Sequence, residues 1–398
     1  MRVLICTSEF SSESSNPWLW DDLANSLTAA GHSVDVVVHS PTSPRPQGQT
    51  RPAPGLRILS VGTVSRPVGP LAKLSSYMAT AWRLHRIARP WVQASTYDLG
   101  LYSSIGVFSF GFPSRMRRAG AIRTLVFLLW DFFPVHHVEI GRIKSKWLSP
   151  LLKALERRSF AKADVVALMS EANRQYFLNY HGRVTHHTVL LPPWTSDPRQ
   201  DGKPESAPPS TTTAGFTAVF GGQLVRGRGV ETLIHAAVEL RDRPDVRIVI
   251  AGDGSRASDL KGLATELGAS NIEFAGLLQR ADYRALLQRA QAGIAVTVEG
   301  VSAPTFPSKI AEYCANGLPV IVALESGSDA GELIATSGAG LAVAAGDPSA
   351  LAQALTSLAD DHRLNLLDQR RSAARALFES HFSADAAMKT LTQIAVNG

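Results

Sequence analysis

Ser308, Lys309 and Glu312 lie close together in the stretch Phe306-Pro307-Ser308-Lys309-Ile310-Ala311-Glu312-Tyr313-Cys314-Ala315-Asn316-Gly317-Leu318-Pro319. The stretch reads as a short helix followed by a buried strand. Pro307 suits the first helical position, where a missing N–H costs nothing. Gly317 suits the residue just past the end, and Pro319 bars continuation. Ser308 and Glu312, four apart, share one helix face. Ser308 and Lys309 fall in the first turn, where free N–H groups and the helix dipole attract an anion. A phosphate at that end and a hydroxyl-binding carboxylate one turn on is the chemistry a sugar nucleotide needs.

Other candidates lie in loops after short apolar runs. Gly221-Gly222 would let backbone approach a phosphate closely. Trp130-Asp131-Phe132-Phe133-Pro134-Val135-His136-His137 follows the run 122–130. There Asp131 is a candidate to orient an acceptor or act as base, with His136 or His137 assisting. Ser8, Glu9 and Ser103-Ser104 are further candidates at strand ends. No Cys/His cluster has metal-ligand spacing; His136-His137 and His186-His187 are adjacent pairs, and adjacent residues do not share a face. We expect no metal and no cofactor.

The elements that must position these residues alternate strand and helix. The first half reads as strand 3–7, helix 17–30, strand 33–39, a Pro-rich loop over 40–70, helix 71–89, a strand near 98–102, helix 106–119 and strand 122–130. Helix 145–162, strand 165–169, helix 171–180 and strand 188–191 follow. The second half repeats the rhythm, with strands at 216–220, 246–251, 272–274, 293–298, 319–323 and 340–343. Such alternation predicts parallel sheets, with ligands beyond the strands' carboxyl ends. A chain of 398 residues is long for one core. We expect an N-terminal domain over 1–197 and a Pro/Ser/Thr-rich linker over 198–214. A second domain would span 215–380, and a final helix, 381–398, would pack back on the first.

Apolar content of 45% and charged content of 19% suit a globular chain. Cys6 and Cys314 read as buried thiols rather than a disulfide. The start Met1-Arg2-Val3-Leu4-Ile5-Cys6 is a short strand without a leader's apolar run, and Leu125–Trp130 is too short to span a bilayer. The expected location is cytoplasmic, with room for peripheral attachment to the inner face of the membrane. Residues 1–200 carry 23 Lys+Arg and 12 Asp+Glu, and residues 201–398 carry 17 and 22, so nets of +11 and −5 make up the overall +6. That asymmetry points the first half at something anionic. The basic stretch 142–162, interleaved with Trp147, Leu148, Leu151, Leu152 and Leu155, reads as a surface helix for anionic lipid. No recognised nucleic-acid module is present.

Four segments together resemble the family 4 retaining glycosyltransferases. Gly222-Gln223-Leu224-Val225-Arg226-Gly227-Arg228-Gly229 is similar to the family's Gly-Arg-Leu…Lys-Gly loop. Val249–Gly254 resembles its next strand-turn, and Asn271–Gly276 the strand leading to its base-binding loop, here starting at Leu277. Phe306–Pro319 resembles its Pro-Ser-Lys variant, found among bacterial surface-polysaccharide enzymes. The resemblance implies an α/β GT-B fold, two Rossmann-like domains facing a cleft. It also implies a retaining, metal-independent hexosyltransferase that moves sugar from a UDP- or GDP-linked donor to a glycan or lipid-linked acceptor. Donor contacts would come from Gly222, Gln223, Arg228, Gly252, Leu277, Ser308, Lys309 and Glu312, the last on the ribose. Three positions depart from the pattern. Pro304 stands where the family has a first Glu, Gln223 where it has Arg, and Arg228 where it has Lys. These departures keep open a non-catalytic partner subunit. A nicotinamide-dependent oxidoreductase is disfavoured, because Thr7-Ser8-Glu9-Phe10-Ser11-Ser12 after the first strand lacks Gly-x-Gly-x-x-Gly.

Overall fold

The computed structural model describes residues 1–11, 19–40, 45–62, 69–104, 111–141, 143, 147, 149–182, 186–200 and 215–397. In chain order the first elements are β1 (Arg2–Thr7), α1 (Leu19–Ala29), β2 (Ser33–His39), β3 (Gly48–Ala53), β4 (Leu56–Val61), α2 (Pro70–Arg83), α3 (Arg89–Gln93) and β5 (Tyr97–Ser103). Next come α4 (Phe112–Arg118), β6 (Ile122–Leu129), α5 (Val135–Glu139), α6 (Ser149–Phe160), β7 (Val165–Leu168), α7 (Glu171–His181) and β8 (His187–Leu190). The second half opens with β9 (Phe216–Gly221), α8 (Val230–Glu239), β10 (Val246–Ala251), α9 (Ala257–Glu266), β11 (Ile272–Gly276), α10 (Arg280–Arg289) and β12 (Ala292–Val296). It closes with α11 (Lys309–Ala315), β13 (Val320–Leu324), α12 (Ala330–Thr336), β14 (Gly340–Ala344), α13 (Pro348–Arg363), α14 (Asp368–Leu377) and α15 (Ala384–Asn397).

The chain divides into two compact units, one of Met1–Val135, Ser145–Leu191 and Ala387–Gly398, the other of His136–Lys144 and Pro192–Ala386. Each holds one sheet. The first sheet runs β3-β4-β2-β1-β5-β6-β7-β8, parallel except for β3 against β4. The second runs β11-β10-β9-β12-β13-β14, parallel throughout. The inner strands read as unbroken apolar runs because helices cover both faces; every residue of β6 but Arg123 is buried.

In each sheet one pair of neighbours marks where the chain reverses its direction of travel, β1 with β5 and β9 with β12. Crevices open at such points beyond the strands' carboxyl ends. The second unit's core includes Phe216, Leu233, Ile234, Ile248, Ile294, Ile321, Leu355 and Leu358, all at most 1% exposed.

The structure departs from the expected boundaries at several places. The region expected as a Pro-rich loop holds the hairpin β3–β4; every residue of β3 is exposed, so no apolar alternation announced it. Helix 106–119 begins only at Phe112, with 105–110 outside the described residues, as are residues 12–18. Residues 201–214 of the expected linker also lie outside them.

Two segments of the range 1–197 belong to the second unit. Residues 192–197 are fastened there because Thr195 N–H donates to the Phe382 carbonyl at 2.9 Å and Asp197 pairs with Arg375. Residues 136–144 pack there through Ile140, which lies under Gly227, and Glu139, which accepts from Ser302 N–H at 2.9 Å. The end of α15 belongs to the first unit, where Met388 Sδ meets Ser26 Oγ at 3.8 Å.

Candidate functional site

In the second unit the site is built on the carboxyl ends of β9, β10, β12 and β13. Tyr313, on α11 and fully buried, ties two of them together. The Gly221 N–H donates to its hydroxyl at 2.9 Å, and that hydroxyl donates to the Ile294 carbonyl at 3.2 Å. Room for the ring comes from Gly293, where a Cβ would stand 2.2 Å from Tyr313 Cγ. A Cβ on Gly221 would stand 2.0 Å from Tyr283 Oη. Gly221 has no room for a side chain because an aromatic ring occupies the space.

The three loops after β9, β10 and β11 meet edge to edge. Gly222 N–H donates to the Ala251 carbonyl at 3.0 Å, and Gly252 N–H to the Gly276 carbonyl at 2.8 Å. Leu224 N–H donates to the Asp253 carbonyl at 2.9 Å. Gly252 has φ +152°, and a Cβ there would lie 1.8 Å from the Gly222 carbonyl oxygen. Gly229, at φ +65°, leads into α8 with its α-carbon against the Thr297 carbonyl. So Gly222, Gly252 and the turn that starts at Leu277 share one edge. Leu277 is 76% exposed, and the Gln223 and Arg228 side chains are exposed as well.

Helix α11 spans only Lys309–Ala315, with Ser308 as its N-cap, so Pro307 lies outside the helix rather than at its first position. The Pro307 carbonyl still accepts from Ile310 N–H at 3.1 Å. Gly317 ends the helix at φ +64°. Lys309 and Glu312 come together directly: Nζ lies 2.5 Å from Oε2, with the side chains 37% and 18% exposed. Lys309 Nζ also sits 4.5 Å from the centre of the Tyr283 ring. Glu312 is therefore a half-open carboxylate whose charge is shared with an adjacent ammonium, an arrangement that can accept hydroxyls while a cation faces an anion beside it.

Sequence reasoning missed Glu325, just past β13 and 4% exposed. Its Oε1 accepts from Thr305 N–H at 2.6 Å and Thr305 Oγ1 at 2.8 Å, and its Oε2 from Thr297 Oγ1 at 2.6 Å. Glu325 thereby shapes the loop that carries Pro304 into α11. The available signal was a carboxylate at the carboxyl end of a parallel strand.

The first unit holds the other predicted segment. After β6, the Trp130 and Asp131 N–H groups donate to Ser104 Oγ at 3.0 and 3.2 Å. Phe133 N–H donates to Glu156 Oε1 at 2.9 Å. Asp131 belongs to the first unit and His136 to the second, so the two predicted catalytic residues are held by different packing. Among the described residues no group of three or more His, Cys, Asp or Glu side chains could hold a metal ion.

"Glycosyl transferase 4-like domain" matches residues 20–194 and "Glycosyl transferases group 1" matches residues 215–361. The chain belongs to the family 4 glycosyltransferases and has their GT-B fold, two parallel-sheet α/β units. Among solved structures, Anabaena HepE in complex with UDP and glucose superposes with a TM-score of 0.66 at 17% identity, over 100% of this chain and 99% of that one.

A mannosyltransferase of Corynebacterium glutamicum, described as GDP-mannose-dependent and acting on a monoacylated phosphatidylinositol monomannoside, is 28% identical over 246 residues. That match covers 58% of this chain and 60% of the relative. WcaI of Escherichia coli, named for glycosyl transfer in colanic acid biosynthesis, is 24% identical over 202 residues, 49% of each chain. The matched region thus spans about half the length of the curated relatives.

Proposed function

We propose that this chain transfers a hexosyl group, with retention and without a metal, from a UDP- or GDP-linked sugar to a glycan or lipid-linked acceptor. The product would belong to a bacterial surface polysaccharide or glycolipid. The observation that carries the reading is the convergence of Gly222, Gly252 and the Lys309–Glu312 pair on the carboxyl edge of one parallel sheet. In this reading Glu312 accepts the ribose hydroxyls. Arg228 and Lys309 meet the diphosphate charge, with Ser308 and Gln223 adding uncharged hydrogen bonds. The exposed backbone edge from Gly252 to Leu277 receives the base. Asp131 and His136 serve the reacting end, Asp131 as acceptor-orienting carboxylate or base. Relatives whose names speak of GDP-mannose and colanic acid support both the donor and the product class.

The first unit would rest on the inner face of the cell membrane. Helix α6 exposes Leu151 (60%) and Leu155 (47%), and Trp147 (79%), two positions before its first residue, is exposed as well; Lys153, Arg157 and Arg158 lie on the same helix. Exposed apolar side chains among cations suit anionic lipid. Among the described residues no helix is long and apolar enough to cross a membrane.

The test is thermal stabilisation by UDP-, GDP-, dTDP- and CMP-sugars, with and without EDTA, followed by nucleoside diphosphate release. A ligand that binds only the folded state must raise the melting temperature. A shift with UDP- or GDP-sugar that ignores EDTA supports the reading; a shift abolished by EDTA overturns its metal-independence. Pro304, in place of the family's first Glu, favours a second reading, a non-catalytic partner subunit. Nucleotide binding without turnover in the isolated chain would support that one instead.

A further inference from the structure

Glu156 and His181 are fully buried in the first unit, and their side chains meet with Oε2 and Nε2 3.1 Å apart. The His181 ring is packed edge-on by Phe160, with centroids 4.9 Å apart, and by Tyr180 at 4.7 Å. Among the described residues no hydrogen bond of ordinary geometry reaches Glu156 Oε2 or either ring nitrogen. Two full charges at that depth would have only one another, and isolated buried charges neutralise instead. The other oxygen, Oε1, is engaged: it accepts the Phe133 N–H two residues after Asp131. Ser104, just past the end of β5, grips the same segment, and Phe132 is buried with its ring edge on Tyr176, centroids 4.8 Å apart.

We propose that Glu156 is a positioning residue that holds the Asp131 segment by accepting the Phe133 N–H, and that it does so as a neutral carboxyl packed against a neutral His181. Among the described residues, the titratable and charged groups facing the pair are Lys153 and Arg157 on α6 itself and Asp131 in the segment's own loop. Lys153 is drawn outward over the Tyr180 ring, 3.8 Å from its centre, rather than into an ion pair with Glu156. Burial pushes the Glu156 carboxyl up to about 8 and the His181 ring down to about 4, in keeping with neutral partners between those values. The catalytic consequence rests on the reading of Asp131 given above; the anchor itself does not.

The experiment is amide hydrogen exchange at Phe133 in the full chain, in the native protein, E156Q and E156L. Gln keeps the Oε1 acceptor and presents a neutral donor to His181, so it mimics the protonated acid. At pH 7, E156Q should keep native protection. E156L should lose roughly tenfold at Phe133 while the amides of β6 stay protected. Between pH 6.5 and 8 the native chain should lose Phe133 protection beyond the rise in chemical exchange, because opening hydrates the carboxylate, and E156Q should not. Equal loss in E156Q and E156L would show that the carboxylate charge is required and overturn the proposal. So would full protection in E156L, or native protection unchanged to pH 8. Should E156L fail to fold, the native and E156Q profiles decide alone. Donor binding measured alongside separates the two ideas: lost anchoring with intact nucleotide affinity leaves the functional reading standing.

Discussion

If Glu312 holds the ribose as proposed, removing its carboxylate should separate binding from folding, and the structure sets the size of the folding effect. Glu312→Ala deletes one ion pair, to Lys309 at i,i+3, with the two side chains 18% and 37% exposed. Pairs this open contribute about 0.2–1 kcal/mol, and Ala is the better helix former, so the net cost to folding is well under 1 kcal/mol. For a chain of this size that moves the melting temperature by about 2 °C or less. Binding should respond far more. A ribose hydroxyl bonded to a carboxylate contributes about 1.5–3 kcal/mol, which is roughly 10–150-fold in affinity. Freed of its partner, Lys309 can turn wholly to the diphosphate, which favours the lower end of that range. Titration calorimetry with UDP and GDP at 25 °C measures the ratio, and Glu312→Gln, which keeps an acceptor without the charge, should fall between. A normally melting Glu312→Ala chain whose Kd stays within twofold of the native value would refute the assignment of Glu312 to the ribose.

Three other outcomes are expected. Gly252→Ala forces a methyl onto the Gly222 carbonyl 1.8 Å away at a φ that L side chains avoid. Urea unfolding should show a loss of about 3 kcal/mol or more, with weakened nucleotide binding. Glu325→Ala strands Thr297 and Thr305 and should cost about 2–4 kcal/mol, read by the same unfolding curves. A loss below 0.5 kcal/mol would show that the loop does not depend on that carboxylate.

Stability should also vary with pH through the buried pair. Glu156 rises from 4.5 to about 8 on folding, so its contribution is whole below pH 4.5 and is lost as pH climbs to 8. His181 falls from 6.5 to about 4, so its contribution is whole above pH 6.5 and is lost toward pH 4. The two slopes oppose each other between 4.5 and 6.5. From pH 6.5 to 8 only Glu156 acts, and stability should drop by at most about 2 kcal/mol. E156Q should flatten that limb; a limb of equal slope in E156Q assigns it to other groups.

Residue order alone carried the architecture, because parallel strands buried on both faces must be continuous apolar runs and the helices between them must be long enough to cross back. The runs at 122–130, 216–220 and 246–251, the stop at Gly317 and Pro319, and the placing of candidate loops after strand ends were all legible for that reason. Strand β3 was not legible, since an exposed edge strand has no apolar face to display.

Partnerships across the chain were decided by the fold. Glu325 meets Thr297 only because β12 and β13 are registered side by side, with Thr297 N–H on the Ala323 carbonyl at 3.0 Å. Glu156 meets His181 because α6 and α7 pack together beside β7, and residues 136–144 join the second unit because Ile140 fits under Gly227. Local spacing fixes which residues share one helix or strand. Whether a buried carboxylate shapes a loop, and whether it is charged, depends on neighbours brought close by tertiary packing and on the water that packing excludes.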